Sequence, residues 1–446
     1  MGSGSTREGS YLLKCPSEIL SYVLDSCSPA DHLRVSRVNK RLNGVANRFL
    51  YSTVQFRWTT PGKTDKGTPP VTIFLRSILG NPQLAALVQS LRLVGDSSFC
   101  YSFRFDMNLP TISWAGTGST LDRAVGLVTE LPVPYAQEWV RGLKIGTMDS
   151  IIAFLLTRLV NLRSFVTTAN FTKEMTLQGA MFRSALCGQN RTGHQQNQVG
   201  WLPRFDQIQE VSADFYRLSY IWCDPNTDTL LPFFYLPAIQ TLDLCLDSPP
   251  IFSWPATTAP DATTLTSLTL RHVRESALKG ILSSTKQLIK LDWEFLYSES
   301  NMSTQQIRGS LQGLVEFPKV ERFEVPLPFL AGRLIPNNRY RVSKRIPQNL
   351  RTLVLNEDLK DFADEKLGLN DWDYDEIALN LGDWLLFEEF ESDTPFLKRL
   401  NLRLPLDGRE GGLYCKLKRL LGKERVPVKV TLLGEEPEPE PETDSD

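Results

Sequence analysis

The chain has 446 residues, 41% of them hydrophobic and 22% charged, with a formal net charge of −2. That mix excludes a wholly disordered or collagen-like polymer, and the length suits about three domains or one long repeat array. The longest apolar run, Ile151 to Leu156, is far short of the roughly 20 residues that a membrane-spanning helix needs.

Residues 1–10 are polar and read as a disordered N-terminus. From Leu12 to Phe56 the pattern predicts three short helices and then a strand. Pro16 suits a first helical position, because its missing N–H is one that no helix end can satisfy. Ile19, Leu20, Val23 and Leu24 then make one apolar stripe. Ser28-Pro29-Ala30-Asp31 supplies a hydroxyl cap, a proline and an acid, which opens a second helix bearing Leu33 and Val35. Val38, Leu42, Val45 and Phe49 continue at helical spacing, and Tyr51–Phe56 changes to period two. Some forty residues bury too little apolar area to hold three helices alone. Part of that surface must therefore dock, either on the rest of the chain as a cap or on another protein.

Three strings carry a resemblance. They are Leu13-Lys14-Cys15-Pro16-Ser17-Glu18-Ile19-Leu20-Ser21-Tyr22-Val23-Leu24, then Ser28-Pro29-Ala30-Asp31-His32-Leu33, then Val38-Asn39-Lys40-Arg41-Leu42. Together they resemble an F-box, and the continuation Phe49–Val54 is similar to fungal F-box proteins; Cys15 departs from the leucine usual before the proline. The resemblance implies that Pro16, Ile19, Leu20, Val23, Leu24, Leu33, Val38 and Leu42 grip the Skp-type adaptor of a cullin-based (SCF) ubiquitin ligase. It places the F-box at residues 11–57.

Beyond a Gly/Pro/Lys-rich loop at 61–70, apolar-x-apolar triplets recur, beginning at 91, 143, 165, 211, 242, 268, 291, 323, 353, 400 and 430. Several spacings lie near the leucine-rich-repeat period of roughly 20–29 residues. One such unit cannot bury its apolar face, whereas a stack of them can. The expected fold is α/β: the small three-helix F-box, then an irregular leucine-rich-repeat-like solenoid over 58–434 with a curved parallel sheet. Helical halves are read at 276–283 and 305–314. In such an array the residue between the anchors, and the one after them, point to the concave face. That row includes Lys144, Asp243, Arg271, Asp292, Glu294, Glu324, Asn356, Asn401 and Arg403, candidates for binding a protein substrate. A merely solvated sheet face would read the same way.

Charge is segregated. Residues 331–351 hold six bases and no acid, 356–393 hold fourteen acids against Lys360 and Lys366, and 435–446 hold seven acids and no base. The last segment reads as a disordered acidic tail. The basic and acidic blocks read as surfaces that attract each other, and nucleic-acid binding is not expected because only Tyr340 interleaves the bases. Ile377, Leu381, Trp384 and Leu385 share one helical face amid acids, either as core or as a partner-binding helix.

The sequence holds no catalytic constellation. His32, His194 and His272 have no metal-ligand spacing, and Gly62-Lys63-Thr64 follows Arg57 where a phosphate loop needs glycine. No cofactor is expected. Seven scattered cysteines without a CxxC pair, and a polar start, lead to an expectation of a reducing compartment, cytoplasmic or nuclear. The reading is thus a non-enzymatic substrate-recognition adaptor. The alternatives are a non-ubiquitin interaction scaffold whose helices cap the solenoid, and an enzyme of unrecognised fold in 58–434.

Overall fold

The computed structural model describes residues 14–58, 69–95, 109–168, 170–188, 202–214, 227–246, 252–271, 275–294, 319–326, 346–356, 394–403 and 428–433, with isolated positions at 273, 317, 330, 381–382, 384–386, 415, 417 and 419. They fall in two compact units, residues 1–97 with 105–212, and residues 98–104 with 213–446. The helical reading at 305–314, Ile377 and the tail at 435–446 lie outside the described residues.

The first unit opens with α1 (Ser17–Asp25), α2 (Pro29–Ser36) and α3 (Lys40–Ser52). Pro16 occupies the position before α1 in an extended conformation, so the helix starts one residue later than the sequence suggested. Ser28 caps α2 as expected. Its hydroxyl accepts from the Asp31 N–H and donates to the Asp31 carboxylate at 2.6 Å. That bond and the one from Arg34 hold the Asp31 carboxyl below its ordinary range. Asn39 caps α3 by accepting from the Leu42 N–H at 2.9 Å, a start signal the periodicity concealed. Val38 consequently lies in the turn between α2 and α3 rather than on a helical stripe.

Helix α3 runs straight into β1 (Thr53–Arg57), and α4 (Val71–Gly80) and α5 (Pro82–Leu87) connect it to the parallel strand β2 (Ser90–Val94). Three helices, α6 (Gly118–Thr129), α7 (Ala136–Ile145) and α8 (Met148–Leu156), precede β3 (Ser164–Thr168), which pairs parallel with β2. Then come α9 (Asn170–Lys173), α10 (Thr176–Cys187) and β4 (Glu210–Asp214), within which the first unit ends at Ser212. The nine residues of α8 are all buried, so its apolar run is the helical centre of this unit's core.

Here one expectation is corrected. Leu143-Lys144-Ile145 is the last turn of α7, not a strand. Trp139 and Leu143, four apart, are fully buried, while Ile145 is 56% exposed, so the apolar period is helical. Gly146 ends the helix in the left-handed region (φ 85°). A Cβ there would sit 2.1 Å from the Ile112 carbonyl oxygen, the neighbour whose N–H donates to Gly146 O at 2.7 Å. We expect Gly146→Ala to cost about 2 kcal/mol through strain and this collision, read as a lower thermal midpoint. An unchanged midpoint would refute the role.

The second unit contains α11 (Thr227–Leu230), β5 (Thr241–Cys245), β6 (Ser267–Arg271), α12 (Glu275–Leu282), β7 (Lys290–Glu294), β8 (Arg322–Pro326), β9 (Thr352–Asn356), β10 (Arg399–Arg403) and β11 (Lys429–Leu433). Each strand from β6 onward pairs parallel with the one before it in sequence. This is the arrangement of stacked repeats. Leu268, Leu291, Phe323, Leu353 and Leu400 stand in register and are fully buried.

A third apolar position, three residues before each first anchor, completes the repeat: Leu265, Leu288, Val320, Leu350 and Leu397 are all buried. Between it and the strand lies a recurrent backbone bond. The carbonyls of Gln240, Thr266, Ile289, Glu321 and Arg351 each accept the two successive N–H groups that open the next strand. Gln89 and Arg163 do the same in the first unit. The repeat is therefore defined by hydrogen-bonded entry as well as by its apolar spacing.

Candidate protein-interaction surfaces

The three N-terminal helices close on a small core of Leu20, Leu24, Leu42, Val45 and Ala46, with Cys15, Cys27, Val35 and Phe49 packed against it. His32 locks α2 to α1. Its Nε2 lies 2.7 Å from the Leu24 carbonyl, and its ring stacks on Phe49 with 4.9 Å between centroids. Asn43 adds a bond to the Ser36 carbonyl at 2.9 Å, and Arg41 bonds the Cys15 carbonyl.

The adaptor-contact set read from the sequence is thereby split. Leu20, Leu24 and Leu42 are turned inward, and each is at most 5% exposed. Ile19 (51%), Val23 (45%), Leu33 (46%) and Val38 (68%) are turned outward, as is Pro16, and Tyr22 joins them at 81%. Tyr22 was missed because it sits off the i, i+4 stripe. The stripe therefore mixes two faces of α1, with Leu20 and Leu24 turned into the core and Ile19 and Val23 turned out beside Tyr22.

The sheet-face row divides as well. Lys144 is off the sheet, on α7. The other eight lie in the second unit, and seven of them are brought together as one network, while Asn401 bonds Thr431 beside it. Arg271 bonds Asp243, and its Nε lies 2.8 Å from Glu294. Lys290 and Arg322 flank Asp292 at 2.7 and 3.3 Å. Glu324 receives Arg403 at 2.6 Å and Arg322 at 3.2 Å, with Asn356 at 3.5 Å. Arg403 also reaches Glu294 at 3.4 Å, and Asn401 accepts from Thr431. Arg322 and Lys290 escaped the sequence reading, although period two puts residues 290, 292 and 294 on one face.

The row is not the open polar surface that was expected. Asp292, Glu324, Asn356 and Asn401 are buried, and Glu324 is 1% exposed. Burial raises the Glu324 carboxyl above its usual range, opposed by the charge of Arg403. Four carboxylates face four cations, Arg271, Lys290, Arg322 and Arg403, so the charge is compensated internally. Leu381, Trp384 and Leu385 are likewise buried, which makes that stripe core.

Among the described residues no group of three or more His, Cys, Asp or Glu could hold a metal ion, and no helix is long and apolar enough to cross a membrane.

Residues 12–50 match the F-box domain family model. The chain therefore joins an F-box domain to a leucine-rich-repeat-like α/β array of parallel strands. Among solved structures, the leucine-rich repeat-containing protein LegL7 from Legionella pneumophila aligns at 13% identity and TM-score 0.34, over 84% of this chain and 100% of that one. A protein from Bacteroides fragilis aligns at 12% identity and TM-score 0.26, over 62% and 66%. A leucine-rich-repeat protein from Leptospira interrogans aligns at 10% and 0.19, over 88% and 92%. No curated protein matches the chain.

Proposed function

We propose that this chain is the substrate-recognition subunit of a cullin-based ubiquitin ligase. The F-box would bind a Skp-type adaptor, and through it a cullin, while the repeat array would hold a protein substrate. The chain would supply proximity, with catalysis residing in other subunits. The observation that carries the reading is the outward apolar set on α1, α2 and the turn after it: Ile19, Tyr22, Val23, Leu33 and Val38, exposed beside a core that is already closed. Apolar area of this kind on helices of an F-box domain is suited to burial in a partner's groove. A reducing cytoplasmic or nuclear setting fits such a complex.

The test is co-purification with a Skp-type adaptor. Val23→Asp with Leu33→Asp should weaken capture by at least about 100-fold, since two desolvated apolar contacts would each be replaced by a charge. Ile73→Asp, an equally exposed apolar position on α4, should leave capture unchanged. Circular dichroism should report folded protein in both. Leu20→Asp is unsuitable as a probe, because it would place a charge inside the F-box core. Wild-type protein that captures no adaptor would leave the helices as a cap of the array, a reading favoured by the direct run of α3 into β1.

A further inference from the structure

A second surface lies on the rim where the strands of the second unit begin. Consecutive backbone bonds place Ile289, Glu321, Arg351 and Lys398 in one row: the N–H of each of the last three donates to the carbonyl of the residue before it in the row. Two residues upstream runs a parallel row of Gln287, Lys319, Asn349 and Phe396. Between the rows opens a groove of about 370 Å³ lined by Ile289, Lys319, Glu321, Asn349, Arg351 and Phe396. Ile289 and Phe396 are half exposed at its two ends. Lys319, Arg351 and Lys398 are exposed, against the single carboxylate Glu321, which is 3.4 Å from Arg351. Unlike the balanced network on the strands, this patch has an excess of positive charge beside accessible apolar area.

We propose that this groove binds the chain's own acidic segment Glu435–Asp446. The segment reads Glu-Glu-Pro-Glu-Pro-Glu-Pro-Glu-Thr-Asp-Ser-Asp, seven acids and no base, and it follows β11 of the same unit. Its chemistry matches the groove twice. Carboxylates meet the three cations, and proline rings suit the face of Phe396, as in grooves that take proline-rich segments. The pitch also matches. Alternate residues of an extended proline-rich chain lie about 6 Å apart, and neighbouring strands carry the cations about 5 Å apart.

Reach is sufficient. Twelve extended residues span roughly 37 Å, against about 13 Å back along β11 and about 19 Å across four strands. Tethering makes the contact effective even if its intrinsic affinity is low, because a short linker supplies a local concentration on the order of millimolar. The proposal does not depend on the ligase reading.

The test uses the full chain and a fluorescently labelled synthetic peptide of residues 435–446. In one variant the seven acids of the tail are replaced by their amides. That variant should bind the peptide at least about tenfold more tightly than wild type, whose groove is already occupied by the tethered segment. Binding should weaken severalfold as salt rises from low ionic strength to about 0.3 M, since exposed ion pairs are screened. In the amide-tail background, Lys398→Glu should reduce peptide binding at least about tenfold. Lys279→Glu, an exposed lysine on α12 with the same charge change, should not. Phe396→Ala should weaken binding while leaving the thermal midpoint unchanged. The proposal fails if the amide-tail variant shows no binding at millimolar peptide, if wild type binds equally well, or if Lys279→Glu acts like Lys398→Glu.

Discussion

Replacing Arg322 and Arg403 together by alanine is expected to destabilise the second unit by about 3 kcal/mol, and adding Glu324→Gln to that pair should restore more than half of the loss. The asymmetry follows from where the network is buried. Glu324 is 1% exposed, whereas the two arginine side chains are 33% and 44% exposed. Removing the carboxylate strands two cations that water can still reach. Arg322 would keep Asp292, and Arg403 would keep Glu294. Removing both cations leaves a desolvated carboxylate with only the 3.5 Å bond from Asn356. Breaking a fully buried pair costs roughly 3–5 kcal/mol, and partial solvation of the arginines argues for the lower end. Asp292 still pairs with Lys290 at 2.7 Å, so the effect should centre on β8 and β9. Hydrogen exchange of backbone amides in β7 to β9 is the measurement. A double variant with unchanged protection, or a glutamine that rescues nothing, would refute the assignment of the cost to Glu324.

That network also shows how far the sequence could be read. The apolar triplets located ten of the eleven described strands, because Leu242-Asp243-Leu244 or Leu400-Asn401-Leu402 obeys a period that only a strand satisfies when the anchors face a core. β1 was read from Tyr51–Phe56 as a strand, but not as the first repeat strand. The triplet at 143–145 misled because three residues cannot distinguish period two from the i, i+4 spacing of Trp139 and Leu143. Burial of the polar row had one visible sign: Val354, between Leu353 and Leu355, makes three apolar residues in succession, the mark of a strand covered on both faces. Ion pairing across that face joins residues up to 109 positions apart, as in Arg403 with Glu294, and no local pattern encodes it. On the F-box the helical stripe was legible, but the sequence could not say that Leu20 and Leu24 would be consumed by the domain's own core while Ile19 and Val23 stayed outside it. The partner-facing surface had to be read from exposure.

Asp149 lies beyond any local signal for the same reason, and it yields the other large expected effect. It belongs to α8 yet caps α10 from 28 residues away. Its carboxylate accepts from the Leu177 N–H at 2.6 Å, and from the Gln178 N–H and Nε2–H, both at 3.1 Å. Those bonds favour the charged form, but burial outweighs them, and the carboxyl is pushed up to about 6 from an ordinary 3.8. An acid whose folded value is raised holds its proton more tightly when folded. The stabilisation is therefore complete below about pH 4 and is lost as pH rises through about 6, for a total of about 3 kcal/mol. Rotating the Gln178 amide would offer its otherwise unpartnered Oε1 to the protonated acid, so the neutral state can be satisfied. Asp149→Asn, which cannot ionise, should remove this slope. Other carboxylates act in the opposite sense: Asp31, held low, contributes stability above its unfolded value that is lost as pH falls. The decisive quantity is thus the difference between wild type and variant in urea unfolding at pH 4.5 and pH 7.5. We expect wild type to lose about 2 kcal/mol relative to Asp149→Asn between those pH values. Parallel pH profiles for the two proteins would show that Asp149 does not titrate there, and that its capping bonds outweigh its burial.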